Sequence, residues 1–134
     1  MFETEKSVGN WVAMWNSYDL NQIDKLFLTD QRLTYFSSEK EGAFQGIEAV
    51  RAHHRDFGFI EGGKASNNNL WVEDLHTTDF DSAVVVTGIW YFQRATEQKL
   101  RGPVTFVYIK QGDEYRLAHL NFANYPDKDD DHRQ

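Results

Sequence analysis

The chain is 134 residues long, which fits one hydrophobic core and is short for two. Hydrophobic side chains make up 40% of it and aromatic ones 15%, too much for disorder along its whole length. With 21 acidic and 14 basic residues the formal net charge is -7, which argues against nucleic acid or an anionic membrane surface as a partner.

Cysteine is absent, which removes disulfides and thiolate metal ligands and fits a reducing cytoplasm. The opening Met1-Phe2-Glu3-Thr4-Glu5-Lys6 is polar where a signal peptide needs a basic start and an apolar run. No stretch has the apolar length of a membrane span. The expectation is a soluble, cytoplasmic domain.

From about Glu3 to Ser17, Val8, Trp11, Val12 and Trp15 recur at helical spacing. Asp19 reads as an N-cap for a second helix that buries Leu20, Ile23, Leu26 and Phe27 and stops near Thr29 and Asp30. Leu33 to Phe36 reads as a short strand, and Gly42 and Gly46 bracket another extended piece around Phe44. A third helix runs from Ile47 to about Phe59, closed by Gly62 and Gly63. Then come four β-rich runs: Leu70 to Glu73, Ala83 to Phe92, Val104 to Ile109 and Tyr115 to Ala123. Pro103 is expected to open its strand, where a missing donor is tolerated. This order predicts an α+β domain over residues 1–125, with three N-terminal helices packed on a strongly curved, mainly antiparallel sheet that encloses a pocket. Residues 126–134 read as a charged tail that frays.

The order resembles the nuclear transport factor two-like superfamily, also described as SnoaL-like, ketosteroid isomerase-like or cystatin-like α+β. Three segments carry the resemblance. Tyr18-Asp19-Leu20, followed by Ile23 and Leu26-Phe27-Leu28, is similar to the turn between the first two helices. Gly46-Ile47-Glu48-Ala49-Val50 is similar to the opening of the third, and Val107 to His119 to the last hairpin. The resemblance implies a pocket for a small hydrophobic or aromatic molecule, no cofactor, and a homodimer formed through the outer sheet face. It does not imply one reaction, because the superfamily holds isomerases, cyclases, dehydratases and non-catalytic assembly domains. Where a ketosteroid isomerase carries its aspartate base and oxyanion pair, this chain aligns Tyr35, Trp11 and a residue near Pro103. Scytalone dehydratase is closer locally, through Ser17-Tyr18-Asp19 and Tyr35, but its two catalytic histidines fall near Phe59 and Phe92.

The groups able to move protons near neutral pH are few, and the adjacent His53 and His54 stand out. Both fit apolar stripes of the third helix, so one is expected to face inward or flank the pocket and the other to lie at its edge. Each reads either as a partly buried histidine bonded to a carbonyl or to a neighbour such as Asp56, or as a pocket acid/base, for which His53 is slightly favoured. Adjacent helical histidines diverge by about 100°, so they do not form a metal pair. In the last strand His119 and Asn121 share a face, which either points into the concave space or forms a polar outer face or dimer contact; the first alternative makes them site candidates. Candidate catalytic residues are therefore His53, His119 and Tyr35. Trp11, Trp15, Tyr18, Asp19, His54, Phe57, Trp71, Trp90 and Asn121 are the expected pocket residues. Two functions follow: a SnoaL-like small-molecule-binding domain, catalytic by acid/base chemistry if it is an enzyme, or a non-catalytic dimeric binding or assembly module.

Overall fold

In the computed structural model, which describes residues 2–94, 97 and 99–126, three helical segments lie against one six-stranded sheet. Helix α1 spans Thr4–Ser17, a 3-10 turn at Leu20–Gln22 leads into α2 at Ile23–Leu26, and α3 spans Ile47–Asp56. The strands are β1 (Thr34–Phe36), β2 (Phe44–Gln45), β3 (Asn68–Asp79), β4 (Val84–Arg94), β5 (Leu100–Gln111) and β6 (Glu114–Phe122). Their order across the sheet is β2-β1-β6-β5-β4-β3, with one parallel pair, β1 on β6. The α+β class and the mainly antiparallel sheet are as the sequence predicts. Residues 127–134, most of the predicted tail, lie outside the described residues.

Packing explains the order. One face of α1 buries Val8, Trp11, Met14 and Trp15 against the sheet, where Trp11 meets Phe106 and Phe122 edge to face. Asn16 holds the same helix to β3, donating to the Leu70 carbonyl at 2.9 Å and accepting from the Leu70 N–H at 2.8 Å. The second helix is shorter than predicted: Phe27 turns extended and bridges to Leu117 of β6, so the chain leaves the helix to cover the sheet. Helix α3 also ends early. Gly58 takes a left-handed conformation, and the N–H groups of Gly58 and Phe59 return to Arg55 and His54, a Schellman closure four residues before Gly62.

Two features of the sheet differ from the period-2 reading. Pro103 lies inside β5 rather than at its start, near the place where β6 stops pairing at Phe122. The register of β5 against β6 shifts between Val107 and Tyr108. That bulge turns both Leu117 and Leu120 inward, an odd spacing that strict alternation forbids.

Candidate functional site

The floor of the space between helices and sheet is built on Tyr35. Strand β1 places it opposite Leu120, fully buried, with Phe27, Phe44 and Phe122 around its ring. Its hydroxyl has no hydrogen-bond partner among the described residues. Burial pushes its pKa well above the ordinary tyrosine value, so the group is a neutral donor.

Helix α3 delivers both histidines to this floor. The expectation that one faces in and the other lies at an edge is corrected: His53 is 1% exposed and His54 0%. The helix is wedged between α1 and the β1–β2 edge, so directions about 100° apart both meet protein. The His54 ring packs on Trp15, Phe27, Phe59 and Tyr35, while that of His53 packs on Phe44, Phe57 and Tyr35. The two imidazoles are 5.5 Å apart between centroids, and Tyr35 is 5.2 Å from His53 and 5.4 Å from His54.

The hydrogen bonds fix what each ring can do. His54 Nδ1 lies 2.8 Å from the Val50 carbonyl, which only accepts, so Nδ1 carries the proton and Nε2 offers a lone pair. That Nε2, both nitrogens of His53 and Trp15 Nε1 have no partner among the described residues. Desolvation lowers the pKa of His54 to about 3 against the raising effect of the Val50 bond. It lowers that of His53 to about 4, with Lys40 adding to the effect and Asp56 opposing it. Both imidazoles are neutral at physiological pH. Buried polar atoms without partners are costly in a finished core. Here donors (Tyr35, Trp15) and an acceptor (His54) are gathered on adjoining rings.

Next to this cluster a cavity opens to solvent between the end of α1, the β1–β2 loop, the end of α3 and the sheet. Counting its open mouth, it measures about 440 Å³, but the centre of a water molecule can move through only about 30 Å³ of it. That is room for roughly two waters, well below the volume a bound ring compound fills, so a ligand must displace wall side chains to enter. Trp15, Tyr18, Phe57 and Trp90, named from the sequence as pocket residues, line it. Trp11, His54 and the two candidate catalytic residues Tyr35 and His53 lie deeper in the core, off its wall, so a ligand reaches them only by parting the side chains between. Sequence reasoning missed Phe92 and Arg94, although they share the inward face of Trp90 at i+2 and i+4, and that alternation was available. It also missed Ser37, Ser38 and Glu39, which a loop presents and no periodicity marks. Tyr18 reaches the mouth because it ends α1 in a left-handed conformation (φ 55°), with its hydroxyl 2.5 Å from Asn68 Nδ2, which donates to it.

Other expected residues lie elsewhere. His119 and Asn121 are corrected to the outer face: they pair with Thr34 and Phe36, while Leu120 beside them points inward with Tyr35. His119 Nδ1 is 2.7 Å from the Thr34 hydroxyl, and the sheet separates it from the buried cluster. Trp71 is likewise corrected to the outer face, stacked on Tyr91 at 5.2 Å with its indole N–H donating to Glu73. Asp19 acts as a cap, not a wall: its carboxylate accepts from the Asn21 and Gly62 N–H groups and from Gln22, which hold its pKa below the ordinary value. Among the described residues no three His, Asp or Glu side chains gather as metal ligands, and no helix is long and apolar enough to cross a membrane.

No protein-family model and no curated protein sequence matches the chain. Solved structures do match. A nuclear transport factor 2-like superfamily protein from Salmonella enterica serovar Typhimurium aligns with TM-score 0.76 and 14% identity, over 93% of this chain and 90% of that one. A candidate calcium/calmodulin-dependent protein kinase II association domain from Xanthomonas campestris aligns with TM-score 0.74 and 13% identity, over 90% and 84%. A candidate ketosteroid isomerase from Parabacteroides distasonis aligns with TM-score 0.69 and 14% identity, over 88% and 84%. The chain therefore has the nuclear transport factor 2-like, cystatin-like fold.

Proposed function

We propose that this chain is a SnoaL-like small-molecule-binding domain whose ligand is an apolar ring compound carrying an oxygen function. The observation that carries this reading is the set of unpartnered buried polar atoms on Tyr35, His53, His54 and Trp15 beside an aromatic-walled cavity. A hydroxyl or carbonyl oxygen matches that set: Tyr35 and Trp15 donate to it, and His54 Nε2 accepts from a hydroxyl. The ring stacks among Trp15, Phe57 and Trp90 once these give way. Acid/base catalysis receives less support from the same groups. Imidazoles with pKa values lowered to about 4 and about 3 resist becoming imidazolium, whereas an efficient base titrates near working pH. The role of Tyr35 and the histidines in this reading is recognition.

A thermal-shift comparison tests it. 2-Naphthylmethanol is expected to stabilise the wild type more than naphthalene does, and Tyr35→Phe to remove most of that difference. Equal shifts for both compounds in wild type would contradict the reading.

A second reading, a dimeric assembly module, is favoured by the outer sheet face. Val85, Ile89, Pro103 and Val107 alternate with the buried Val84, Val86, Trp90, Val104 and Phe106, so they form an outer stripe of two apolar pairs with Thr87 and Thr105 between them, and Phe36, 39% exposed, lies on the same sheet beyond Asn121. The similar structure named as an association domain agrees with a self-associating surface. The two readings are compatible, since the stripe and the cavity are on opposite faces.

A further inference from the structure

We infer that the ligand of this cavity is a monocarboxylate, an apolar ring acid whose carboxylate is held at the mouth by the Arg94 guanidinium; this rests on the small-molecule reading above. Arg94 is the one cationic side chain among the residues lining the cavity. It is largely covered rather than free in solvent, and no carboxylate lies within ion-pair distance of it among the described residues. Three other arginines carry ion pairs, Arg32 with Asp30, Arg51 with Asp24 and Glu48, and Arg116 with Glu114, whereas Arg55 and Arg101 have none among the described residues but lie off the cavity. A partly desolvated guanidinium without a counter-ion is costly unless a ligand supplies one.

Its position suits that use. The guanidinium carbon lies 5.5 Å from the Phe92 ring centroid, a cation–π contact on the cavity wall, and its N–H edge has no acceptor among the described residues. That edge matches a carboxylate fork, and the Ser37 and Ser38 hydroxyls stand on the same mouth. The ring of the acid then lies among Trp15, Phe57 and Trp90, and an oxygen function at its far end meets Tyr35 and Trp15. Glu39 narrows the charge of the ligand. It lines the mouth too, is exposed, and has no ion-pair partner among the described residues. Together with the net charge of -7 it opposes a phosphate dianion more strongly than a single carboxylate.

Isothermal titration with a matched pair of ring compounds, 2-naphthoate and 2-naphthylmethanol, tests this. Wild type is expected to bind the acid ~10-fold or more tighter than the alcohol, the scale of a charge-assisted pair. Arg94→Gln should abolish that preference while still binding the alcohol, Arg94→Lys should keep part of it, and Glu39→Gln should widen it. Equal affinity for the two compounds in wild type, or a preference that survives Arg94→Gln, overturns the carboxylate assignment and leaves the binding reading standing. Binding of neither compound overturns both.

Discussion

At the residue scale, the paired histidines carry the clearest consequences. Both have folded-state pKa values below their unfolded value of 6.5. Below that pH the unfolded chain takes up protons that the folded chain refuses, so stability is complete above about pH 6.5 and falls as pH drops toward 4 and then 3. For His54 the slope approaches ~1.4 kcal/mol per pH unit; His53, just beneath the surface beside Lys40, contributes less. Urea titrations at stepwise lower pH check this, and His54→Phe should flatten the curve. Tyr35→Phe should leave stability unchanged or raise it by up to about 1 kcal/mol, because the lost hydroxyl has no protein partner. A large loss in urea midpoint would show that the hydroxyl is satisfied within the fold. The sequence marked these residues by type alone. Burial of both histidines was not legible, because a helix wheel offers only one core direction and α3 meets protein on two sides.

At the element scale, the legible parts were those written in regular periods: the Val8–Trp11–Trp15 stripe of α1, and the alternation of Trp90 and Phe92 in β4. What the period could not show were the points where it breaks. The bulge opposite Val107 and Tyr108 sends His119 and Asn121 outward, and nothing in Ala118 announces it. Gly58 ended α3, and a nearer glycine was in plain view, but Gly62-Gly63 is the stronger turn signal. Gly102 is a further case. A Cβ there would sit 1.8 Å from the Ala123 carbonyl oxygen, which also accepts from the Trp90 indole N–H at 2.9 Å. Gly102→Ala should therefore cost on the order of 1–3 kcal/mol by urea denaturation and disturb the Trp90 wall of the cavity. A neutral effect would mean that the chain end is free to shift away.

At the scale of the whole molecule, the fold was legible because the order of elements survives errors in their ends. Each helix or strand boundary can slip by a few residues without changing which layer covers which. The outer stripe of Val85, Ile89, Pro103 and Val107 leads to an expected homodimer by light scattering, converted to monomer by Val107→Lys with the fold retained. A wild-type monomer at high concentration would remove the assembly reading. The inner face carries the central claim, that an oxygen-bearing ring compound enters between Trp15, Phe57 and Trp90 to meet Tyr35 and the histidines. The most direct measurement is an NMR titration of the isotope-labelled wild type with 2-naphthylmethanol. The account predicts saturable shifts at Trp15, Tyr18, Ser37, Phe57 and Trp90, and at the His53 and His54 ring nitrogens, with both imidazoles still neutral. Shifts confined to Trp71, Tyr91 and the outer face, or none at all, would contradict it.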